Sequence, residues 1–378
     1  MGDSTEEQAS DSAENYSGNQ SPPPTLPTLP TPPDGANGSG AESSLSTQTY
    51  DFSFTGNGYE FFKIWIVNLA LTILTLGVYS AWAKVRTNRY FYSHFQLDGE
   101  GFEYHAKPLE ILKGRLIAVG LLLGYYFLGS LSLAAGALAG IALLLLYPVI
   151  AVLSLRFHRR VSSYRNLHFR FHGRYRDAYK TFVLWPLLGV LSFGILYPLV
   201  LIKLDRFIIG NTAYGTERFE FSGKYGHYAK LFLIGIVAYL VYLVATLVLV
   251  PTGADVAYLR ARFSALLVFP FYAVMLYLYA RFMNLRFSLI TLREHGFDSR
   301  FTARGIAWVV LTNLALIVVT LGLFLPFAKV RWTRYRANCL SLVTQGTLDD
   351  FMAAEQDKAS ALSQEVGEAF DFDLGIGV

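Results

Sequence analysis

The sequence predicts a mainly α, polytopic membrane bundle with internal repeats and small cytoplasmic β-hairpins. Composition is the first ground: the 378 residues are 53% hydrophobic and 16% charged, with a mean hydropathy of +0.36, against about 25% charged residues in soluble chains. The second is a stretch that runs from apolar to basic, Thr75-Leu-Gly-Val-Tyr-Ser-Ala-Trp-Ala-Lys-Val-Arg-Thr-Asn-Arg-Tyr90. It returns as Thr320-Leu-Gly-Leu-Phe-Leu-Pro-Phe-Ala-Lys-Val-Arg-Trp-Thr-Arg-Tyr335, with a looser copy from Ser192 to Phe207. The third is charge. Seven acidic residues and no Lys or Arg lie in 1–49, and eight acids with one Lys lie in 347–378. Of 28 acids and 32 bases, 13 and 31 remain in 50–346, a net of +18. The basic residues fall between apolar spans, which fits a membrane body with basic rims rather than a nucleic-acid binder.

Residues 1–49 are rich in Ser, Pro and Gly and too polar to offset chain entropy, so a disordered acidic tail is expected there. Tyr50–Gly56 alternates as a strand. Phe61–Ala83 is long enough to cross about 30 Å of hydrocarbon, and Lys84–Tyr90 continues it in helical register. Asp98-Gly99 marks a hairpin turn. The apolar residues 116–155 suit two spans, and 230–282 suit another pair. Repeat units are placed at about 50–115, 167–230 and 297–346, within a membrane domain of 50–346. A second acidic tail, largely disordered, is expected over 347–378.

The repeats are exact in places. At an offset of 117, Phe52, Phe54, Gly56 and Arg89 match Phe169, Phe171, Gly173 and Arg206. At an offset of 245, Asn68-Leu-Ala-Leu matches Asn313-Leu-Ala-Leu, and Ala83-Lys-Val-Arg matches Ala328-Lys-Val-Arg. Self-similarity at fixed spacing marks one supersecondary unit used several times. A weaker echo, Asn166-Leu-His-Phe169 in Asn284-Leu-Arg-Phe287, suggests the span pairs descend from the same unit.

Two topologies are open. Seven straight crossings would put several strongly basic segments outside, against the positive-inside rule. Broken hairpins turning near Gly77, Gly194 and Gly322 would leave the basic segments, the β-hairpins and both tails cytoplasmic.

The apolar spans hold no central ionisable residue, which argues against proton-coupled transport. Asn68 and Asn313 are the polar interior positions, candidates for a cavity lining or for interhelical hydrogen bonds. His168 and His172 share a strand face without a third ligand, so no metal site is expected, nor any cofactor. No catalytic motif stands out, and Cys339, the single cysteine, excludes an internal disulfide. The basic edges with their aromatic neighbours are the candidate contacts for the bilayer and its anionic lipids: Trp82, Lys84, Arg86, Arg89, Lys203, Arg206, Lys329, Arg331 and Arg334.

The patterns at 54–62 (Phe-x-Gly-x-Gly-x-Glu-Phe-Phe), at 75–86 and at 89–104 (Arg-Tyr-Phe…Leu-Asp-Gly-x-x-Phe-Glu-Tyr) resemble the YjgN family over about 50–346. The resemblance implies a polytopic bacterial inner-membrane protein and carries no activity or site residues across. The expected function is a non-catalytic scaffold or anionic-lipid-interacting protein, with a transporter or channel pathway between the repeats as the alternative.

Overall fold

A computed structural model describes residues 47–249 and 257–374. The expected N-terminal tail lies outside these residues except for 47–49, which open the first strand. The chain is built from five successive units, each a strand, a helical hairpin and a returning strand. Unit one is β1 (Thr47–Phe54), α1 (Gly58–Leu74), α2 (Ser80–His94) and β2 (Phe95–Leu97). Unit two is β3 (Glu100–Tyr104), α3 (Pro108–Leu131), α4 (Leu133–Arg160) and β4 (Ser162–Tyr164). Unit three begins with β5 (Leu167–Phe171). Its first arm joins α5 (Tyr175–Tyr179), a π-helical turn (Lys180–Leu184) and α6 (Trp185–Leu191), and α7 (Tyr197–Gly210) and β6 (Thr212–Tyr214) complete it. Unit four is β7 (Glu217–Phe221), α8 (Tyr225–Leu249), α9 (Ala257–Ser288) and β8 (Ile290–Leu292). Unit five is β9 (His295–Ser299), α10 (Ala303–Val319), α11 (Leu325–Asn338) and β10 (Leu340–Gln345). A final helix, α12 (Leu348–Leu374), follows.

The strands correct the expected fold class. They are not small separate hairpins on a mainly α bundle but one closed antiparallel barrel of ten strands, ordered β1-β10-β9-β8-β7-β6-β5-β4-β3-β2. Four of the ten pairings are local hairpins, such as β2 with β3 through Asp98-Gly99, whose φ angles of 53° and 76° suit a hairpin turn, and one, β1 with β10, closes the ring. The other half join the two ends of one unit across its whole helical excursion, as Phe52 opposite Leu97. Such pairings leave no local sequence signal, and they convert five hairpins into a cylinder without edges.

One cross-strand pair recurs around the barrel: Phe52 with Leu97, Phe102 with Tyr164, Phe169 with Tyr214, Phe219 with Leu292, and Phe297 with Leu342. These ten side chains point inward and make a fivefold apolar layer. Each large side chain removed from water contributes about 1.5–3 kcal/mol.

Both ends of every helical segment join this barrel, so each helical hairpin leaves and re-enters the same barrel mouth, which rules out seven straight crossings. Three hairpins break at Gly77, Gly194 and Gly322, with φ of 92°, 85° and 93°, conformations that glycine adopts without a Cβ penalty. The residues just before these glycines, Leu76, Phe193 and Leu321, are almost wholly exposed. α1 and α10 have 17 residues each, about 26 Å at 1.5 Å per residue, short of the hydrocarbon core. Among the described residues, units two and four supply four helices long and apolar enough to cross a membrane. Short and long hairpins thus alternate along the chain, and the short units five and one meet where the ring closes.

The Asn166/Asn284 echo joins a β-turn to a position inside α9 and marks no equivalence. The segment expected as a disordered tail contains α12, whose Leu348, Phe351, Met352 and Glu355 are buried. The three apolar residues, spaced i, i+3 and i+4, give α12 a face to bury.

Candidate functional site

Five equivalent positions, six residues before each returning strand, explain part of the basic rim. From four of them a side chain donates to a loop carbonyl of the next unit: Arg156 to Gly173 (2.9 Å), Arg206 to Gly223 (2.9 Å), Asn284 to Phe301 (2.9 Å) and Arg334 to Gly56 (2.7 Å). The last closes unit five onto unit one. Gly56 and Gly173 must lack a side chain, because a Cβ would lie 2.5 Å and 2.4 Å from the rings of Phe54 and Phe171. Arg89, the fifth equivalent, lines a shallow groove with Arg86, Tyr90, Glu103 and His105.

Other basic candidates are also engaged. Arg331 donates to Asn313 Oδ1 (2.8 Å) and Thr312 Oγ1 (2.9 Å), while Asn313 Nδ2 donates to the Ala328 carbonyl. Asn68, its repeat equivalent, is buried with no hydrogen-bond partner for either amide atom. Lys203 lies 5.1 Å from the Trp185 ring centroid, and Trp82 stacks on Tyr79.

Lys84 and Lys329, related by the 245-residue offset, face the same space. That space is a vestibule of about 630 Å³ between the helices and the barrel mouth, lined also by Asn88, Tyr92, Arg159, Thr333 and Arg336. It contains no carboxylate, and none of its four cations forms an ion pair among the described residues. The Lys329 ammonium sits 4.3 Å from the Phe91 ring centroid. It is open to water through the vestibule yet surrounded by protein on most sides. That desolvation, together with the neighbouring Lys84, pulls it down to about 8.

Beneath the vestibule the barrel encloses a second cavity, of about 380 Å³. Phe95, Phe102, Arg159, Phe169 and Arg336 line both spaces, so the two adjoin across these side chains. The lumen wall is the fivefold layer, and its floor is Leu348, Phe351 and Met352 of α12. Burial pushes the Tyr164 hydroxyl up to about 12 and the Tyr214 hydroxyl higher still, so both stay neutral donors. They hydrogen-bond to the Leu97 and Tyr164 carbonyls.

Polar contacts hold α12 on the turn end of the barrel. Arg165 bridges Asp98, Glu100 and Asp349. The wholly buried Glu355 accepts from the Thr216 N–H (3.1 Å), the Thr216 hydroxyl (2.7 Å) and Lys358 (3.1 Å). Burial alone would raise its carboxyl, but these donors overcome it and hold it below the usual carboxylate range.

Sequence reasoning found Lys84 and Lys329 through the repeat and missed Arg159, Arg336 and the lumen. Arg159 stands in a run of basic residues whose facing only the packing decides. Nothing in a strand of three residues says that its inward side chain meets nine others.

The family described as "Bacterial protein of unknown function (DUF898)" matches residues 49–369. The chain is similar to the inner membrane protein YjgN of Salmonella typhimurium, 31% identical over 160 residues, covering 41% of this chain and 39% of that protein. It is also similar to inner membrane protein YjgN of Escherichia coli K12, 26% identical over 157 residues, 40% and 38% of the two chains. The matched segment thus spans about two fifths of these relatives' length. No solved structure matches the chain.

Proposed function

We propose, from the premise that this chain belongs to the bacterial family of unknown function DUF898, that it is a non-catalytic inner-membrane protein that binds the anionic group of a lipid. The barrel and α12 then face the cytoplasm, since the basic helix ends all lie at the barrel mouth. One observation carries the binding site: Lys84, Arg159, Lys329 and Arg336 line one vestibule with no carboxylate to neutralise them. An anion entering there gains charge-assisted hydrogen bonds and offsets both the desolvation and the Lys84 repulsion that depress Lys329.

The test is the lipid retained through purification in neutral detergent. Wild type is expected to keep anionic phospholipid, and Lys84→Gln/Arg159→Gln/Lys329→Gln/Arg336→Gln to lose it by about tenfold or more. Equal retention would sink the reading. A transport role is favoured by a different observation, the adjoining of vestibule and lumen across five shared side chains. Solute flux in reconstituted vesicles that rises when α12 is removed would support it.

A further inference from the structure

The lumen asks for an occupant that the headgroup reading does not supply. Its mouth carries two cations, Arg159 and Arg336, and its wall below holds no carboxylate; it is aromatic and aliphatic apart from the buried His295, whose Nδ1 already accepts from the Gln345 N–H. It is blind, because Phe351 and Met352 of α12 close the far end. A polar headgroup pushed into this well would lose water and could regain at most the one free ring nitrogen of His295, whereas an apolar chain would gain from burial. About 380 Å³ is near the lower end of ligand pockets, roughly 300–1,000 Å³. That suits one chain rather than two.

We infer that the barrel is the binding site for a single-chain anionic amphiphile, a fatty acid or alkyl phosphate. Its anion lies on the cations of the vestibule and its chain runs away from the bilayer into the lumen, ending against α12. The inference rests on the anion-binding reading but adds the direction of the chain. Bilayer lipids would instead keep their tails among the helices. The aromatic layer and the α12 floor become a measure of chain length, because a chain that has reached Phe351 can bury no further methylene. Each methylene buried before that point tightens binding about fourfold, from about 0.8 kcal/mol apiece.

The experiment uses the full chain in neutral detergent and an alkyl phosphate bearing a diazirine at its terminal carbon. Photolysis is expected to label Tyr214, Phe351 or Met352. Label confined to the outer faces of α3 and α8 would overturn the inference while leaving the headgroup reading intact. A second arm compares binding of the alkyl phosphate and inorganic phosphate to Leu97→Phe/Leu292→Phe, which narrows the lumen. The alkyl phosphate is expected to weaken about tenfold and inorganic phosphate to be unchanged. Unchanged alkyl phosphate binding in a variant that melts like wild type would also overturn it. If instead the four-cation Gln variant binds the alkyl phosphate as tightly as wild type does, the headgroup reading fails.

Discussion

The seam between units three and four offers the sharpest test of how the ring of units is held. Asp205 on α7 is almost fully buried and forms an ion pair with Arg286 on α9 at 2.7 Å; it also accepts from the Tyr228 hydroxyl on α8 at 2.8 Å. Asp205→Leu leaves both donors without their acceptor. Stranding the charged partner of a buried pair costs about 3–5 kcal/mol, and an orphaned hydroxyl about 1–3. The Arg286 side chain is 31% exposed and can recover some water, which places the sum at its low end, about 4 kcal/mol. Replacing the whole triad, Asp205→Leu with Arg286→Met and Tyr228→Phe, removes the stranded groups, so most of that loss is expected to return. The assay is denaturant unfolding in mixed micelles, read as a cycle of the single, paired and triple variants. A loss below about 1 kcal/mol for Asp205→Leu, or no recovery in the triple variant, would refute the reasoning.

Four further outcomes follow from the same geometry. Arg334→Met removes the bond to the Gly56 carbonyl that closes the ring; it is expected to lower stability by about 1.5–3 kcal/mol, read as a fall in melting temperature. Gly322→Ala meets nothing but Leu325 at 3.9 Å, so only the φ of 93° opposes it. A loss of about 1–2 kcal/mol is expected, and a neutral result would mean the hairpin tip refolds. Glu355→Gln weakens the contact with Thr216 and Lys358, and protease cleavage within α12 is expected to quicken about tenfold, for about 1.5 kcal/mol. Because the Glu355 carboxyl is held below its unfolded range, the stabilisation is present above the ordinary carboxylate pKa. It is lost as pH falls through the lower folded value, so acid is expected to mimic the substitution. Lys329 carries its charge below about 8 and loses it above, so alkyl phosphate binding is expected to weaken about fivefold to tenfold between pH 7 and pH 9. A bound anion moves that step upward, and Lys329→Arg is expected to abolish it.

Local chemistry makes much of this chain legible from its residues alone. Apolar runs of sufficient length locate units two and four, glycine locates the breaks at Gly77, Gly194 and Gly322, and Asp98-Gly99 announces its hairpin. The 117- and 245-residue offsets are spacings of two and four units, so the repeat is visible in the residues while its true period is hidden. The helices of units two and four are long spans that do not match the others by residue, although the strand motif of unit three, Phe169-x-Phe171-x-Gly173, returns in unit four as Phe219-x-Phe221-x-Gly223. Unit two keeps that motif only as Phe102-x-Tyr104-x-Ala106, too short a match to announce the period on its own.

What the sequence by itself determined is the membrane character, the hairpin breaks and the basic edges, because each depends on neighbours within a few turns of chain. Only the tertiary structure decided that β1 pairs with β10, that ten inward side chains form one lumen, and which cations face it. Those facts depend on contacts between residues such as Thr47 and Gln345, nearly the whole described chain apart, where ring closure rather than local preference sets the register. The same closure turned Arg206 and Arg334 into latches between units and left Lys84 and Lys329 without an ion pair among the described residues.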